Sequence, residues 1–118
     1  MRIGIVGSRR RLDKENVISF VQTLSPNDVV VSGGCRGVDA WAEQEANRRG
    51  MQVIIFLPDQ ERLDTDDSYE IIEAYYARNK KIAENCDELH AFVAKDRHGG
   101  TENTIKWAKQ LGKKVVIH

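Results

Sequence analysis

Two hydrophobic periods alternate along this chain. Short β-branched runs such as Val29–Val31 are apolar at every position, which favours strands that are covered on both faces of a sheet. Longer stretches between them repeat apolar residues every three or four positions, as Val17, Val21 and Leu24 do, which predicts amphipathic helices. The alternation predicts an α/β protein with a parallel sheet.

The predicted elements follow one another in strict alternation. Strands are expected at Arg2–Val6, Val29–Ser32, Gln52–Leu57, Glu88–Val93 and Lys114–His118. Helices are expected at Asp13–Leu24, at Val38–Arg49, from Ile71 to Cys86 with a break near Arg78 left open, and between Thr101 and Leu111. The polar, acidic segment Pro58–Ser68 is predicted to be a solvated loop.

Right-handed crossovers leave few strand orders for such a chain. We favour the order 3-2-1-4-5, with the flavodoxin-like order as the alternative. The fold is then a Rossmann-like three-layer sandwich, a five-stranded parallel sheet with helices on both faces, expected as one domain over residues 1–118. Ligands of such sheets bind at the carboxyl ends of the strands.

Glycine-rich loops follow three strands that are neighbours in this order. They are Gly7-Ser8-Arg9, Ser32-Gly33-Gly34 and Gly99-Gly100-Thr101. Glycines let the backbone turn without a Cβ in a ligand's way, and the following helices direct free N–H groups toward an anion. The three loops therefore predict one pocket for the phosphates of a nucleotide, although each glycine could also serve only a tight turn.

Side chains beside the loops have two interpretations each. Arg9 can bind a phosphate bidentately or be a solvated surface arginine. Asp39 can cap the second helix, which we favour, or bind a ribose hydroxyl or a partner subunit. His98, inside the third glycine loop, is the one histidine kept as a site candidate.

Hydroxyl groups at the loops are also candidates. Thr101 and Thr104 can contact phosphate or act as N-caps of the last helix. Ser8 and Ser32 are expected to be loop donors, because no His–Asp pair at a recognisable spacing would activate a nucleophile.

The composition narrows the choice of partners. Lys+Arg and Asp+Glu number 18 each, so the formal net charge is zero, which argues against bulk attraction to nucleic acid. Two cysteines without a secretion signal favour a reducing cytoplasm, and no apolar run approaches the roughly 20 residues of a membrane helix. No ligand spacing predicts a metal ion, and we expect no separate cofactor.

Three motifs resemble those of known families. Ser32-Gly33-Gly34-Cys35-Arg36-Gly37-Val38-Asp39 resembles a segment of the DNA-processing protein A family, and so does Arg78-Asn79-Lys80-Lys81-Ile82-Ala83 followed by Cys86-Asp87. Gly99-Gly100-Thr101 with Thr104 is similar to the glycine loop of the "lonely guy" phosphoribohydrolases. Together they point to the SLOG superfamily of Rossmann-like domains, and to its small stand-alone bacterial and phage members.

The resemblance implies binding of a nucleotide or a nucleotide derivative at the glycine loops, and a homodimer or a higher homo-oligomer. It adds Arg36, Arg78 and Asn79 to the candidate ligand-binding residues. The phosphoribohydrolases have a further glycine and a catalytic glutamate whose place falls near Lys106 here. Glu102 is the nearby acid and the candidate catalytic residue, although it is out of register.

Three functions remain at this point, in order of preference. The first is a nucleotide-binding sensor or regulatory module. The second is a hydrolase of a nucleotide or of its N-glycosidic bond, with Glu102, Asp39 or His98 as acid or base. The third is a single-stranded DNA-binding domain, which the neutral charge and the lack of a basic stripe with interleaved aromatic residues disfavour.

Overall fold

The computed structural model describes all 118 residues. Strands alternate with helices as β1 (Arg2–Gly7), α1 (Lys14–Gln22), β2 (Val29–Ser32), α2 (Val38–Arg48), β3 (Gln52–Ile55), α3 (Gln60–Leu63), α4 (Ser68–Glu84), β4 (Glu88–Phe92), α5 (Gly100–Gln110) and β5 (Lys114–Ile117). All four strand pairs are parallel, and the strand order is β3-β2-β1-β4-β5. The predicted fold class and order are confirmed, and the flavodoxin-like order is excluded.

Two apolar cores lie on opposite faces of the sheet. Ile3 and Ile5 of β1 pack on one side with α1 and α2, which contribute Val17 and Val38 among others. On the other side α4 and α5 pack against a second cluster that contains Val6 of β1. Successive residues of β1 thus enter different cores, which is why strand β1 carries apolar residues or glycine at every position of its centre.

Two details of the predicted helices differ from the structure. Helix α4 runs unbroken through Arg78, so the break left open there does not occur. The segment predicted as an irregular loop contains the short helix α3, whose start is capped by the Asp59 carboxylate accepting from the Glu61 N–H at 3.0 Å. An acidic side chain at this position is thus a helix cap as well as a solvated charge.

Candidate functional site

A cavity of about 420 Å³ lies at the carboxyl ends of β1 and β4. It is bounded by the loop after β1, the first turn of α5, the middle of α4 and part of the loop after β2. This is the position at which an open parallel sheet of this order binds ligands, because the crossovers diverge on either side of β1 there.

The loop after β1 forms one wall of this cavity. The Ser8 N–H donates to the Phe92 carbonyl at 3.0 Å, which ties the loop to the end of β4. The Ser8 hydroxyl accepts from the Arg10 N–H at 3.1 Å. Arg9 is exposed on the cavity, and no hydrogen bond or ion pair occupies its guanidinium, whereas Arg10 is held by both oxygens of Asp96. Arg9 therefore presents a free cation at the cavity rim.

The first turn of α5 forms the facing wall. Its N-cap is Gly99, and no side chain caps it. The N–H groups of Gly100 and Thr101 have no acceptor in the chain, so this helix end keeps its donors and its partial positive charge. The N-cap role considered for Thr101 and Thr104 is wrong, since the Thr104 hydroxyl donates back to the Gly100 carbonyl at 3.2 Å inside the helix.

Arg78 and Asn79 of α4 connect the loop after β2 to the first turn of α5. Arg78 is only 7% exposed, yet it has no ion pair: it donates to the Gly33 carbonyl at 2.6 Å, to Asn79 Oδ1 at 3.0 Å and to Cys35 Sγ at 3.5 Å. The Asn79 amide donates to Asn103 at 3.1 Å in the first turn of α5. Asn79 therefore fixes the guanidinium relative to the open helix end.

The loop after β2 differs most from the prediction. Three of its N–H groups are already occupied, because carboxylates of α2 accept them. Asp39 Oδ2 accepts from Gly33 at 3.2 Å and from Cys35 at 3.3 Å, and Glu43 accepts from Gly34 at 3.0 Å. The favoured helix cap at Asp39 is wrong, since the N-cap is Gly37 and the Asp39 carboxylate binds the preceding loop instead.

Burial dominates the electrostatics of this carboxylate. Asp39 is 4% exposed, and burial raises its pKa to about 6 against the lowering effect of the Cys35 N–H. The neighbouring Glu43 raises it further, and Arg78 lowers it. A cavity that contains Arg9 and Arg78 beside one weakly acidic carboxylate favours an anionic ligand.

The structure brings most of the predicted ligand-binding residues to the cavity and leaves some outside. Those that line it are Gly7, Ser8, Arg9, Asp39, Arg78, Asn79, His98, Gly99, Gly100, Thr101 and Thr104. Those that do not are Ser32, Gly33, Gly34 and Arg36. Ser32 is fully buried at the end of β2, and Arg36 is exposed before α2.

Glu102, the candidate catalytic residue, is not on the cavity either. Gly100, Thr101 and Thr104 share the face of α5 that lines it, and the helical period turns Glu102 away from that face. The Glu102 carboxylate instead forms an ion pair with Arg97 at 3.0 Å. Arg97 itself has a left-handed backbone conformation, with φ 55°. The catalytic role of Glu102 stays a prediction, which this position outside the cavity lining does not support.

Sequence reasoning missed an aromatic wall. Ile72, Tyr75 and Tyr76 of α4 line the cavity, and the Arg78 guanidinium lies 5.5 Å from the centre of the Tyr75 ring. In the sequence these residues look like ordinary core positions of a helix, because their spacing is that of an amphipathic face. The exposure of Tyr76, which is 42% accessible, is visible only in the fold.

The fold and the cavity define a Rossmann-like α/β domain with an anion-compatible cleft at its sheet edge. The family model of DNA recombination-mediator protein A matches residues 1–66, more than half of the chain. The chain belongs to this family, a DNA-processing protein A-like branch of the SLOG domains.

Among solved structures, the X-ray structure of DNA processing protein A (DprA) from Streptococcus pneumoniae is similar to this fold. Its TM-score is 0.80 at 20% sequence identity, and the match covers 98% of this chain and 49% of that chain. The chain thus spans about half the length of that protein. No match is found among curated proteins. No helix is long and apolar enough to span a membrane. The homo-oligomer stays a prediction.

Proposed function

We propose that the chain binds a nucleotide or a nucleotide derivative through a phosphate, as a sensor or regulatory module. One observation carries this proposal: Arg78, buried and without an ion pair, lines the same cavity as the unpartnered N–H groups at the start of α5. A buried cation is costly unless it is compensated; Asp39 is near Arg78 but forms no ion pair with it, and a bound phosphate would supply a direct counter-charge.

The donors available to a phosphate lie on separate elements. The start of α5 offers backbone N–H groups and the positive end of an 11-residue helix, and Arg9 offers a guanidinium from the loop after β1. Arginine matches phosphate geometry because its fork donates two parallel hydrogen bonds. An anion between these elements would be held by backbone donors on one side and by a guanidinium on the other.

The aromatic wall supports a ligand with a ring system. Tyr75 and Tyr76 lie on the cavity beside Ile72, so a planar base could stack there while its phosphate reaches α5. A bare phosphate or a sulfate would use only the polar half of the cavity. This division favours a nucleotide over a simple anion.

The position of Glu102 supports binding without cleavage. Its carboxylate pairs with Arg97 and does not line the cavity. Asp39 and His98 line the cavity and are the remaining acid or base candidates for a hydrolase. Chromatographic analysis of any bound nucleotide for products separates the two functions.

Single-stranded DNA is the second candidate ligand, and family membership favours it. The same donors could hold one internal phosphate of a strand, with a base on Tyr75 or Tyr76. Binding of short oligonucleotides in preference to free nucleotides would support this candidate.

The two exposed arginines that sequence reasoning placed in the site give a direct test. Arg9→Ala should weaken nucleotide binding about tenfold, because it removes a charge-assisted contact at the cavity. Arg36→Ala should leave the affinity unchanged, because Arg36 lies outside the cavity. Isothermal titration with AMP measures both variants.

A thermal-shift screen against nucleoside phosphates and dinucleotides comes first. A ligand at 100 times its dissociation constant should stabilise the fold by about 2.7 kcal/mol, which is several degrees for a chain of this size. If no nucleotide shifts the midpoint, or if Arg36→Ala weakens binding and Arg9→Ala does not, the proposed site is wrong.

A further inference from the structure

Strand β3 forms one free edge of the sheet, because it pairs with β2 alone. Just after the strand, the Phe56 N–H donates to the Ser32 carbonyl at 2.9 Å. Bonding to a parallel neighbour involves every second residue, so the even-numbered residues of this segment bond to β2. The N–H and C=O groups of Val53, Ile55 and Leu57 therefore point away from the sheet.

The two edges of the sheet differ in their side chains. Exposed edges usually carry charges, which discourage pairing with another chain. The β5 edge follows this rule, because Lys114 begins the strand and Lys113 precedes it. The β3 edge does not, because residues 51–57 carry no charge and Ile55 and Leu57 are 45% and 60% exposed. Free backbone groups and exposed apolar side chains thus occur together at β3, and a second strand would cover both.

The two ends of the β3 edge carry opposite charge. Arg49 precedes the strand and has no carboxylate partner, since its guanidinium donates to the Val21 and Leu24 carbonyls. Asp59 and Glu61 follow the strand and form no ion pair. In an antiparallel pair of two such strands, the basic end of each lies beside the acidic end of the other. A second copy of the chain, related by a two-fold axis, therefore complements this edge.

We propose that the β3 edge is a homodimer interface, in which two β3 strands pair antiparallel about a two-fold axis at Ile55 and the two sheets become one. In this register Ile55 faces its own copy and Val53 faces Leu57, so the outward-pointing residues all lie in hydrogen-bonded pairs. Arg49 then lies toward Glu61 of the other copy. The interface is separate from the cavity, which none of these residues lines, and it does not depend on the proposed nucleotide function.

Sedimentation velocity at protein concentrations from about 1 µM upward tests this interface. The wild type should show a concentration-dependent doubling of its mass. Ile55→Lys should weaken the dimer at least about tenfold, because it places two like charges opposite each other at the axis. Ile117→Lys is the matched control, since Ile117 lies on the other edge strand and is 42% exposed. The control should dimerise as the wild type does.

Opposite charges at the axis test the register directly. Ile55→Glu alone should be as monomeric as Ile55→Lys, whereas an equimolar mixture of the two variants should form dimers with one chain of each. Failure of this mixture to associate would exclude the two-fold pairing at Ile55. If the Ile55 variants do not fold, as judged by circular dichroism, Leu57→Lys replaces them, because Leu57 lies on the same edge and is more exposed.

Three results would overturn the proposal. The first is a wild type that stays monomeric at every concentration. The second is a dimer that Ile117→Lys dissociates and Ile55→Lys does not, which would assign the interface to β5. The third is equal weakening by both substitutions, because the effect would then follow the added charge rather than the edge. None of them bears on the nucleotide site, which the titration with AMP tests separately.

Discussion

At the scale of single residues, Gly7 is a packing position as much as a loop position. A Cβ on Gly7 would lie 2.5 Å from the Cβ of Val38, the first residue of α2. The absent side chain lets α2 begin directly against the end of β1, and so it sets the distance between that helix and the cavity wall. Gly100, by contrast, would place a Cβ no closer than 3.8 Å to any atom, that of Asn79.

Alanine substitution should separate these two glycines. Gly7→Ala should destabilise the fold by about 1–3 kcal/mol, since backbone atoms of β1 or α2 must shift to relieve the overlap. Gly100→Ala should be neutral or slightly stabilising, because alanine is favoured over glycine in a helix. Urea denaturation followed by circular dichroism measures both changes. Equal stabilities of the two variants would contradict the packing role of Gly7.

The inward face of α4 carries two polar residues that the analysis of hydrophobic periodicity did not identify as a site. Ile71, Tyr75 and Ile82 define the inward face of α4, and Arg78 and Asn79 fall on the same face. A charged side chain and an amide at core positions need buried partners, which indicates a site rather than a solvated surface. Their role was predicted only through the family resemblance. The partners, Gly33 and the start of α5, come from distant parts of the chain that only the fold brings together.

At the scale of elements, alternating strands and helices were enough to predict the sheet and its order. The carboxylates of α2 were not predictable in the same way, because a helix N-terminus followed by acidic residues also fits a simple cap. Whether an acidic side chain turns toward its own helix or toward the preceding loop depends on backbone angles of that loop. Gly34 and Gly37 both have positive φ there, 72° and 82°.

The edge formed by β4 and β5 carries an ionisable cluster outside the cavity. His90 contacts the Glu88 carboxylate at 2.8 Å and His118 at 2.9 Å, and the His118 ring stacks on Phe92 with centres 4.4 Å apart. Burial, followed by the neighbouring His90 and Arg11, lowers the pKa of His118 below its ordinary value of 6.5. Only one of the two histidines can donate the hydrogen between them, so a proton added to His118 is unfavourable beside His90.

Protonation of His118 in this cluster makes the free energy of unfolding depend on pH. Because the folded-state pKa of His118 is lowered, its contribution to stability is present above pH 6.5 and is lost as the pH falls below that value. His118→Phe keeps a ring to stack on Phe92 and removes the titration. The variant should therefore lose less stability between pH 7.5 and 5 than the wild type does in thermal denaturation. A wild-type loss that the variant reproduces in full would assign the acid sensitivity to other groups.

At the scale of the whole molecule, the net charge is zero, but acidic and basic residues are concentrated in different segments of the chain. Seven acidic residues and one arginine lie in Asp59–Glu73, whereas Asn103–His118 contains four lysines and no acid. The acidic segment includes the first turns of α4, beside the aromatic wall formed by Ile72, Tyr75 and Tyr76. A nucleic-acid strand leaving the cavity along this wall would meet repulsion after the first phosphate.

The salt dependence of oligonucleotide binding should show how many phosphates the protein contacts. Each phosphate neutralised on a single strand contributes about −0.7 to the slope of log K against log salt, so the one phosphate that Arg9 and Arg78 would share in the cavity predicts a slope of roughly −0.7. Fluorescence anisotropy with a labelled oligothymidylate between 50 and 300 mM salt (about a sixfold range) measures this slope, and AMP displacement shows whether the strand uses the same cavity. A slope steeper than about −4 would mean that about six or more phosphates are neutralised by cations of the protein. The strand would then follow the lysine-rich end of the molecule rather than the cavity, and DNA binding would replace nucleotide sensing as the function.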